Sequence, residues 1–402
     1  MSIAVAVSGG GDSLASLLAL RDADREVGHE VLALHGLFLP QPDQTAAKGL
    51  AEACARLGVP LHLLDLRAEF ERLVAAPFAS EYLAGRTPNP CARCNAAMKF
   101  GLLLDRALDL GAEKLATGHF AQSGPHPAYG WALSRGADPV KDQSYFLSLT
   151  PQERLRRALF PLALLRKAEV RADLDARGIA VPLPVESQEI CFVPGDDYRA
   201  FLAGRCAELP GGGPAELPDG TVVGAHQGLW RSTIGQRRGL GISYGEPLYV
   251  LDKDMERNVL VVAPLAALMA DGFAAGEVNL LVDPALWPES VLVQTRYREA
   301  AKPARVELTG GAALRVRFNE PELRPAPGQV AAVYDSGGVV LAGAVVSGSF
   351  QRDIPPQDMS RSSSSCSRLP ASRALMMSAM TSLAGASGCL RRRMASSCTN
   401  FC

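Results

Sequence analysis

No apolar run in this 402-residue chain approaches the ~20 residues that a bilayer-crossing helix needs. The greasiest stretch, residues 155–165, is interrupted by Arg156 and Arg157. A membrane partner is therefore not expected. Residues 1–7 are too short and too poor in basic residues for a signal peptide, and a cytoplasmic location is expected. Charge of one sign is also missing. The net charge is −1, and residues 352–402 hold seven Arg against two Asp, so the rest of the chain has 34 basic and 40 acidic side chains. No global field draws nucleic acid to such a chain; an RNA partner would have to meet a local basic surface. The nine cysteines are odd in number, and four of them (Cys366, Cys389, Cys398, Cys402) lie beyond residue 351. A cytoplasmic chain is not expected to hold structural disulfides, which leaves Cys54, Cys91, Cys94, Cys191 and Cys206 as candidates for chemistry.

What is present divides the chain. The length allows two or three domains with real cores. Residues 3–7 read as a buried strand, and Ser8-Gly9-Gly10-Gly11-Asp12-Ser13 leads into a helix. A strand at 31–37, a helix at 43–57, a strand at 61–64, a helix at 96–110 and a strand at 114–117 follow. Strands alternating with helices imply a parallel sheet covered on both faces, so the N-terminal half, residues 1–200, is read as α/β. From Gly211 onward the sequence turns Gly- and Pro-rich, with short β-patterned runs at 221–223, 248–251, 259–262, 291–296, 314–318, 329–334 and 338–346. Two small mainly-β domains are expected there, at 201–270 and 271–350. The Ser- and Arg-rich residues 351–402 bury too little apolar surface to offset chain entropy and are expected to be disordered.

The segment from Ser8 to Ser13 carries the first chemistry. A Gly-rich turn between strand and helix points backbone N–H groups at the helix's positive end, which is an anion site. Its three glycines let phosphate approach closely. It lacks a Gly-Lys-Ser/Thr ending, so it is not the common P-loop. Asp12 inside that cradle calls for a cation between carboxylate and phosphate, which argues for Mg²⁺ with a nucleotide. The bland alternative is a plain strand-to-helix turn.

Ser-Gly-Gly-x-Asp-Ser after the first strand resembles the pyrophosphate loop of the ATP pyrophosphatase superfamily, whose members cleave ATP between its α- and β-phosphates. Further blocks in order are Thr87-Pro88-Asn89-Pro90 with Cys94-Asn95 and Lys99-Phe100, Ala116-Thr117-Gly118-His119, Lys141-Asp142-Gln143-Ser144-Tyr145-Phe146, Ile190-Cys191-Phe192, and Thr233-Ile234-Gly235-Gln236-Arg237-Arg238-Gly239-Leu240-Gly241-Ile242. With these the chain resembles the tRNA-specific 2-thiouridylases over roughly residues 3–345. The resemblance implies an ATP pyrophosphatase-like catalytic domain that adenylates the 2-oxygen of a tRNA uridine, at wobble position 34, and replaces it with sulfur. It implies ATP contacts from Ala6, Val7, Ser8, Gly9, Gly10, Gly11, Asp12, Ser13, Gly36 and Gly118. Contacts to tRNA are implied for Asn89, Pro90, Cys91, Lys141, Asp142, Gln143, Arg296 and Tyr297. Sulfur would come from a cysteine desulfurase or a sulfur-carrier protein.

The two working cysteines are also implied by resemblance: Cys94 as the nucleophile and Cys191 as the persulfide carrier, joined in a disulfide once sulfur has left. Read alone, Cys94 sits near a helix start, where the dipole favours a thiolate. Cys191, between Ile190 and Phe192, reads alone as part of a core strand. Read alone, too, Lys141-Asp142-Gln143 is a polar, solvated turn, and His119 is a hydrogen-bonding prop rather than a base. Two departures stand out. Cys91 replaces the Asp usual in relatives and creates Cys91-x-x-Cys94, so an iron–sulfur cluster on Cys91, Cys94 and Cys191 is an alternative to the metal-free persulfide route. Gly36 stands where a methionine usually meets adenine. A catalytically silent tRNA-binding relative is the rival of a different class.

Overall fold

The computed structural model describes residues 2–28, 30–39, 44–179, 181–183 and 190–350. The expected disorder of residues 351–402 falls outside that set. Strands β1 (Ser2–Ala6), β2 (Glu30–Leu37), β3 (Leu61–Asp65), β4 (Lys114–Ala116) and β5 (Ala158–Leu159) form one parallel sheet in the order β3-β2-β1-β4-β5. Strand alternation assigns the faces. Ile3 and Val5 join Leu14, Leu17, Leu50 and Cys54 of helices α1 (Gly11–Val27) and α2 (Gln44–Leu57) in one core. Ala4, Leu32 and Leu34 face the other way, into a core with Phe70, Phe78, Phe100 and Leu104. Both faces are covered, as a parallel sheet requires. From β1 the chain steps outward to β2 and β3, then returns to β4 on the opposite side. The crevice between the carboxyl ends of β1 and β4 is thus the switch point at which open α/β sheets bind ligands.

The helix expected at 96–110 begins earlier and is not uniform. Asn89 caps it, accepting from the Ala92 N–H at 3.1 Å, and Pro90 takes the first helical position, where its missing N–H costs nothing. Pro90–Cys94 is α-helical, Asn95–Leu103 takes the wider π form, and Leu104–Asp109 returns to α.

Past Gly211, Gly213–Glu216, Val222–His226, Leu248–Asp254 and Val259–Pro264 make a four-stranded sheet. Met269–Leu280, Val291–Gln294, Lys302–Thr309, Ala313–Leu323, Val330–Tyr334 and Val340–Phe350 close into a six-stranded barrel around Phe273, Val316, Phe318 and Leu341. The α/β fold class with mainly-β modules behind it is therefore realised. Barrel and parallel sheet are joined by the segment after Gln143. The Tyr145 hydroxyl donates to the carbonyls of Thr295 (3.2 Å) and Val330 (3.0 Å), and Asn279 Nδ2 donates to those of Ser148 and Thr150. Residues of both modules share one core.

One buried group works against this packing. Lys253, only 9% exposed, has an ammonium with no hydrogen-bond partner among the described residues, and burial lowers its pKa from 10.5 to about 8, with Asp252 opposing. Between these values the unfolded chain binds the proton and the folded one does not, so stability rises with pH; below about 8 the full penalty stands. Lys253→Met is expected to stabilise the protein by about 1–3 kcal/mol at pH 7, most of the gain vanishing by about pH 10. Urea titrations at the two pH values check this. Equal gains at both would mean that packing, not charge burial, sets the effect.

Candidate active site

The Gly-rich segment folds into a closed turn held by its own hydroxyls. Ser13 Oγ donates to the Gly10 carbonyl at 2.8 Å and accepts from the Ser8 N–H at 3.1 Å. Gly9 takes φ +89°, a left-handed conformation that favours glycine. Helix α1 starts at Gly11, so the turn presents the N-terminus of a 17-residue helix. Gly118, just past β4, presses against this turn. A Cβ there would lie 2.8 Å from the Asp12 carbonyl carbon and 2.9 Å from the Ser13 nitrogen. Asp12 and Ser13 of the turn therefore meet Gly118 at the switch point. Asp12 is ion-paired with Lys167 Nζ at 2.5 Å, so a protein cation already offsets the carboxylate for which the sequence called for Mg²⁺.

Gly36 ends up beside Phe38. A Cβ on Gly36 would sit 2.7 Å from Phe38 Cε1 and 3.0 Å from Cζ, and that ring is stacked on Phe70 with centroids 5.4 Å apart. The space that a side chain at position 36 would take is filled by the Phe38 ring. Gly36→Met is expected to cost about 1–3 kcal/mol of stability by overpacking, and combining it with Phe38→Ala should recover part of that loss. Denaturant melts of both single variants and the double variant check it; strictly additive effects would sink the argument.

Cys94 lies at the junction where the α turn gives way to the π segment. The dipole expectation is overturned: Cys94 is the fifth helical residue, and burial pushes its thiol up to about 12, with Lys99 opposing. Cys191 corrects the sequence reading too, since it is exposed in a turn rather than buried in a strand. Protein around its thiol still raises it above the ordinary value, again against Lys99. Phe192 anchors that turn, edge-on to Phe70 (5.4 Å), Phe78 (5.2 Å) and Phe201 (5.3 Å). Each of Cys91 and Cys191 is close enough to Cys94 to make its ionisation harder. None of the three is in a disulfide, and among the described residues no three His, Cys, Asp or Glu side chains stand together as metal ligands.

Beside them is a network the sequence reading did not assemble. Lys99 Nζ lies 3.4 Å from His119 Nε2, and His119 Nδ1 lies 2.8 Å from Thr117 Oγ1. An ammonium can only donate, so Nε2 accepts and Nδ1 carries the proton toward Thr117. Burial, helped by Lys99, drops the His119 pKa well below 6.5, so the ring is a neutral prop. The only signal available beforehand was the presence of Lys99 and His119 in two motif blocks.

The residues assigned to RNA divide. Asn89 and Pro90 start the helix, and Cys91 is half-buried beside them. Asp142 faces inward, correcting the solvated-turn reading: it accepts from Arg135 Nη1 (2.8 Å), the Gly136 N–H (3.0 Å), the Ser144 N–H (3.1 Å) and Ser144 Oγ (2.9 Å). Its oxygens are filled by protein donors and hold the turn. Gln143 Oε1 accepts from the Phe120 N–H at 3.1 Å, and Lys141 is half-buried next to both. Arg296 is paired with Glu299 (2.8 Å), and Tyr297 packs on Phe146 (4.4 Å). Arg296 Nη2 lies 3.5 Å from where a Cβ on Gly235 would be, so the Gly235-Gln236-Arg237-Arg238 turn adjoins it.

Comparison with known proteins agrees with this architecture. Residues 1–195 match the tRNA methyl transferase HUP domain, residues 199–264 the tRNA methyl transferase PRC-barrel domain, and residues 270–346 the aminomethyltransferase beta-barrel domain. The tRNA-specific 2-thiouridylase MnmA of Nitratidesulfovibrio vulgaris strain Miyazaki F is 57% identical over 354 residues, covering 87% of this chain and 99% of that relative. The counterpart from Lawsonia intracellularis is 49% identical over 86% of this chain and 99% of its own length. That from Desulforudis audaxviator is 42% identical over 86% and 98%. At such identity over nearly the whole length of these relatives, the chain belongs to the family of tRNA-specific 2-thiouridylases.

Proposed function

We propose that this protein thiolates the 2-position of a tRNA uridine, the wobble base 34, at the expense of ATP. The observation that carries the reading is the convergence of Cys94 and Cys191, far apart in sequence, beside Lys99 and one residue network away from the Gly-rich turn. ATP lies with its phosphates on residues 8–13 and against Gly118, and its adenine toward Gly36. The uridine 2-oxygen attacks the α-phosphate, pyrophosphate leaves, and the oxygen becomes part of a departing AMP. The base must be splayed out of its loop to arrive there. A persulfide on Cys191, loaded by a desulfurase or carrier protein, attacks C2 with its terminal sulfur and expels AMP. The Cys94 thiolate then attacks the inner sulfur, the sulfur–sulfur bond breaks toward the base, and 2-thiouridine is released as a Cys94–Cys191 disulfide forms. An external thiol reduces it.

Mg²⁺ fits as one carboxylate contact: Asp12 would hold it by an oxygen while phosphates supply others, and Lys167 shares that carboxylate. Held by Asp12, the ion would supply positive charge to offset that of the phosphates. Lys141, Gln143, Arg296 and Tyr297, with the Arg237-Arg238 turn, form the surface for the tRNA arm; Asp142 supports it from within. Cys91 stands next to the target base, where a thiol replaces a carboxylate. ATP–pyrophosphate exchange, measured with and without unmodified tRNA, tests the whole. Exchange that depends on tRNA, with 2-thiouridine formed when a persulfide donor is added, is the expected result. Exchange without tRNA would mean a ligase of small metabolites, and no exchange at all would mean a silent RNA binder.

A further inference from the structure

Both working thiols sit above their ordinary range, yet sulfur chemistry needs thiolates. Some group must offset the cost of ionising them, and the helix offers one. Cys94 and Lys99 are five residues apart, which in an α-helix would point them about 140° away from each other. Their segment is not α. The π form begins immediately after Cys94, and its wider i→i+5 turn brings residue i+5 closer to the side of residue i than an α-helix does. The wide turn is built into the packing: a Cβ on Gly101 would meet the carbonyl oxygen of Ala96, five residues earlier, at 3.0 Å. The π segment thus turns Lys99 to the side of Cys94. From there its charge reaches both Cys94 and Cys191, and His119, fixed by Thr117, accepts from its ammonium at 3.4 Å.

We propose that Lys99 is the positioning residue for the thiolates, its ammonium aimed by His119 and presented to Cys94 and Cys191 by the π turn. The titratable groups around it are His119, Cys94 and Cys191, with Cys91 next to Cys94. The proposal deepens the sulfur-transfer reading and rests on it for its purpose, but its test needs neither tRNA nor turnover. Lys99→Gln keeps a donor for His119 Nε2 and removes the charge; Lys99→Arg keeps the charge. In a Cys94→Ser background, the rate of iodoacetamide alkylation at Cys191 is followed from pH 6 to 10. Lys99→Gln is expected to slow it about tenfold at pH 8, equivalent to a rise of one pH unit in the thiol's midpoint, and Lys99→Arg to leave it within about twofold. With both cysteines present, closure of the Cys94–Cys191 disulfide by glutathione disulfide should slow by a similar factor in Lys99→Gln alone. Melting temperatures of all variants confirm that they are folded. Identical pH profiles in Lys99→Gln and its parent would overturn the proposal, as would equal losses in Lys99→Arg. Unchanged thiol reactivity together with lost ATP binding would assign Lys99 to the nucleotide instead.

Discussion

Cys191→Ser is expected to bring 2-thiouridine formation below about 1% of the unsubstituted rate while tRNA-dependent AMP release stays within about twofold. The asymmetry follows from the order of bond changes. In the proposed mechanism adenylation uses the Gly-rich turn and the base oxygen, and neither involves a sulfur atom. In that order Cys191 enters only once C2 has been activated. Its exposure in a turn gives a sulfur donor access, while Phe192, wedged among three aromatic rings, keeps the turn where Cys94 can reach it. Serine is nearly isosteric with cysteine and cannot hold a persulfide, so folding and ATP binding are spared. Quantifying AMP and thiouridine in one reaction decides the matter. A variant that still thiolates at the parental rate would remove Cys191 from the sulfur path; one that loses AMP release as well would break the proposed order.

Gly118→Ala should weaken ATP binding. Its Cβ would fall 2.8 Å from the Asp12 carbonyl carbon and 2.9 Å from both the Asp12 oxygen and the Ser13 nitrogen. These are backbone atoms at the start of α1, so no flexible side chain can yield. Either the turn or the β4 end must shift, and the two walls of the switch-point crevice part. ATP affinity is expected to fall by about 3 kcal/mol, or roughly a hundredfold. Gly124→Ala is the control: a Cβ there meets nothing within 4 Å. Calorimetric titration with ATP checks both. Undiminished affinity in Gly118→Ala would move the nucleotide away from this crevice.

Four strands of the parallel sheet were legible as short, largely apolar runs, whereas Ala158–Leu159, two residues long and followed by Phe160-Pro161, was not read as a strand. The barrel was legible only in part. Val291–Gln294, Val330–Tyr334 and the strand ending at Phe350 have dense β-branched runs. Met269–Leu280 reads MADGFAAGEVNL and Lys302–Thr309 reads KPARVELT, too rich in Ala, Gly or charge to signal strands; ladder bonds make them so, to Ala313–Leu323 and Val340–Phe350 far along the chain for the first, and to its hairpin partner Ala313–Leu323 for the second. The site followed the same rule. Local chemistry, such as the turn at residues 8–13 or the cap at Asn89, could be read directly. What depends on tertiary contact could not: Lys167 reaching Asp12, Phe38 filling the space over Gly36, Asp142 turned inward, and burial overriding the dipole at Cys94. Periodicity also had no means to mark a π turn, because Asn95–Leu103 has the composition of any buried helix.

The barrel's closure is finally a matter of order of synthesis. Its first strand, Met269–Leu280, pairs with its last, Val340–Phe350, with Gly272 opposite Phe350. A ribosome releasing this chain therefore leaves the barrel open at one seam until Phe350 has emerged. The parallel sheet is made long before, yet Tyr145 and Ser144 must wait for Val330 and Tyr334 to find their partners. Pairings this far apart in sequence form late and slowly. From the synthesis of Cys191 to that of Phe350, the nascent chain thus holds a finished parallel sheet beside an unsealed barrel.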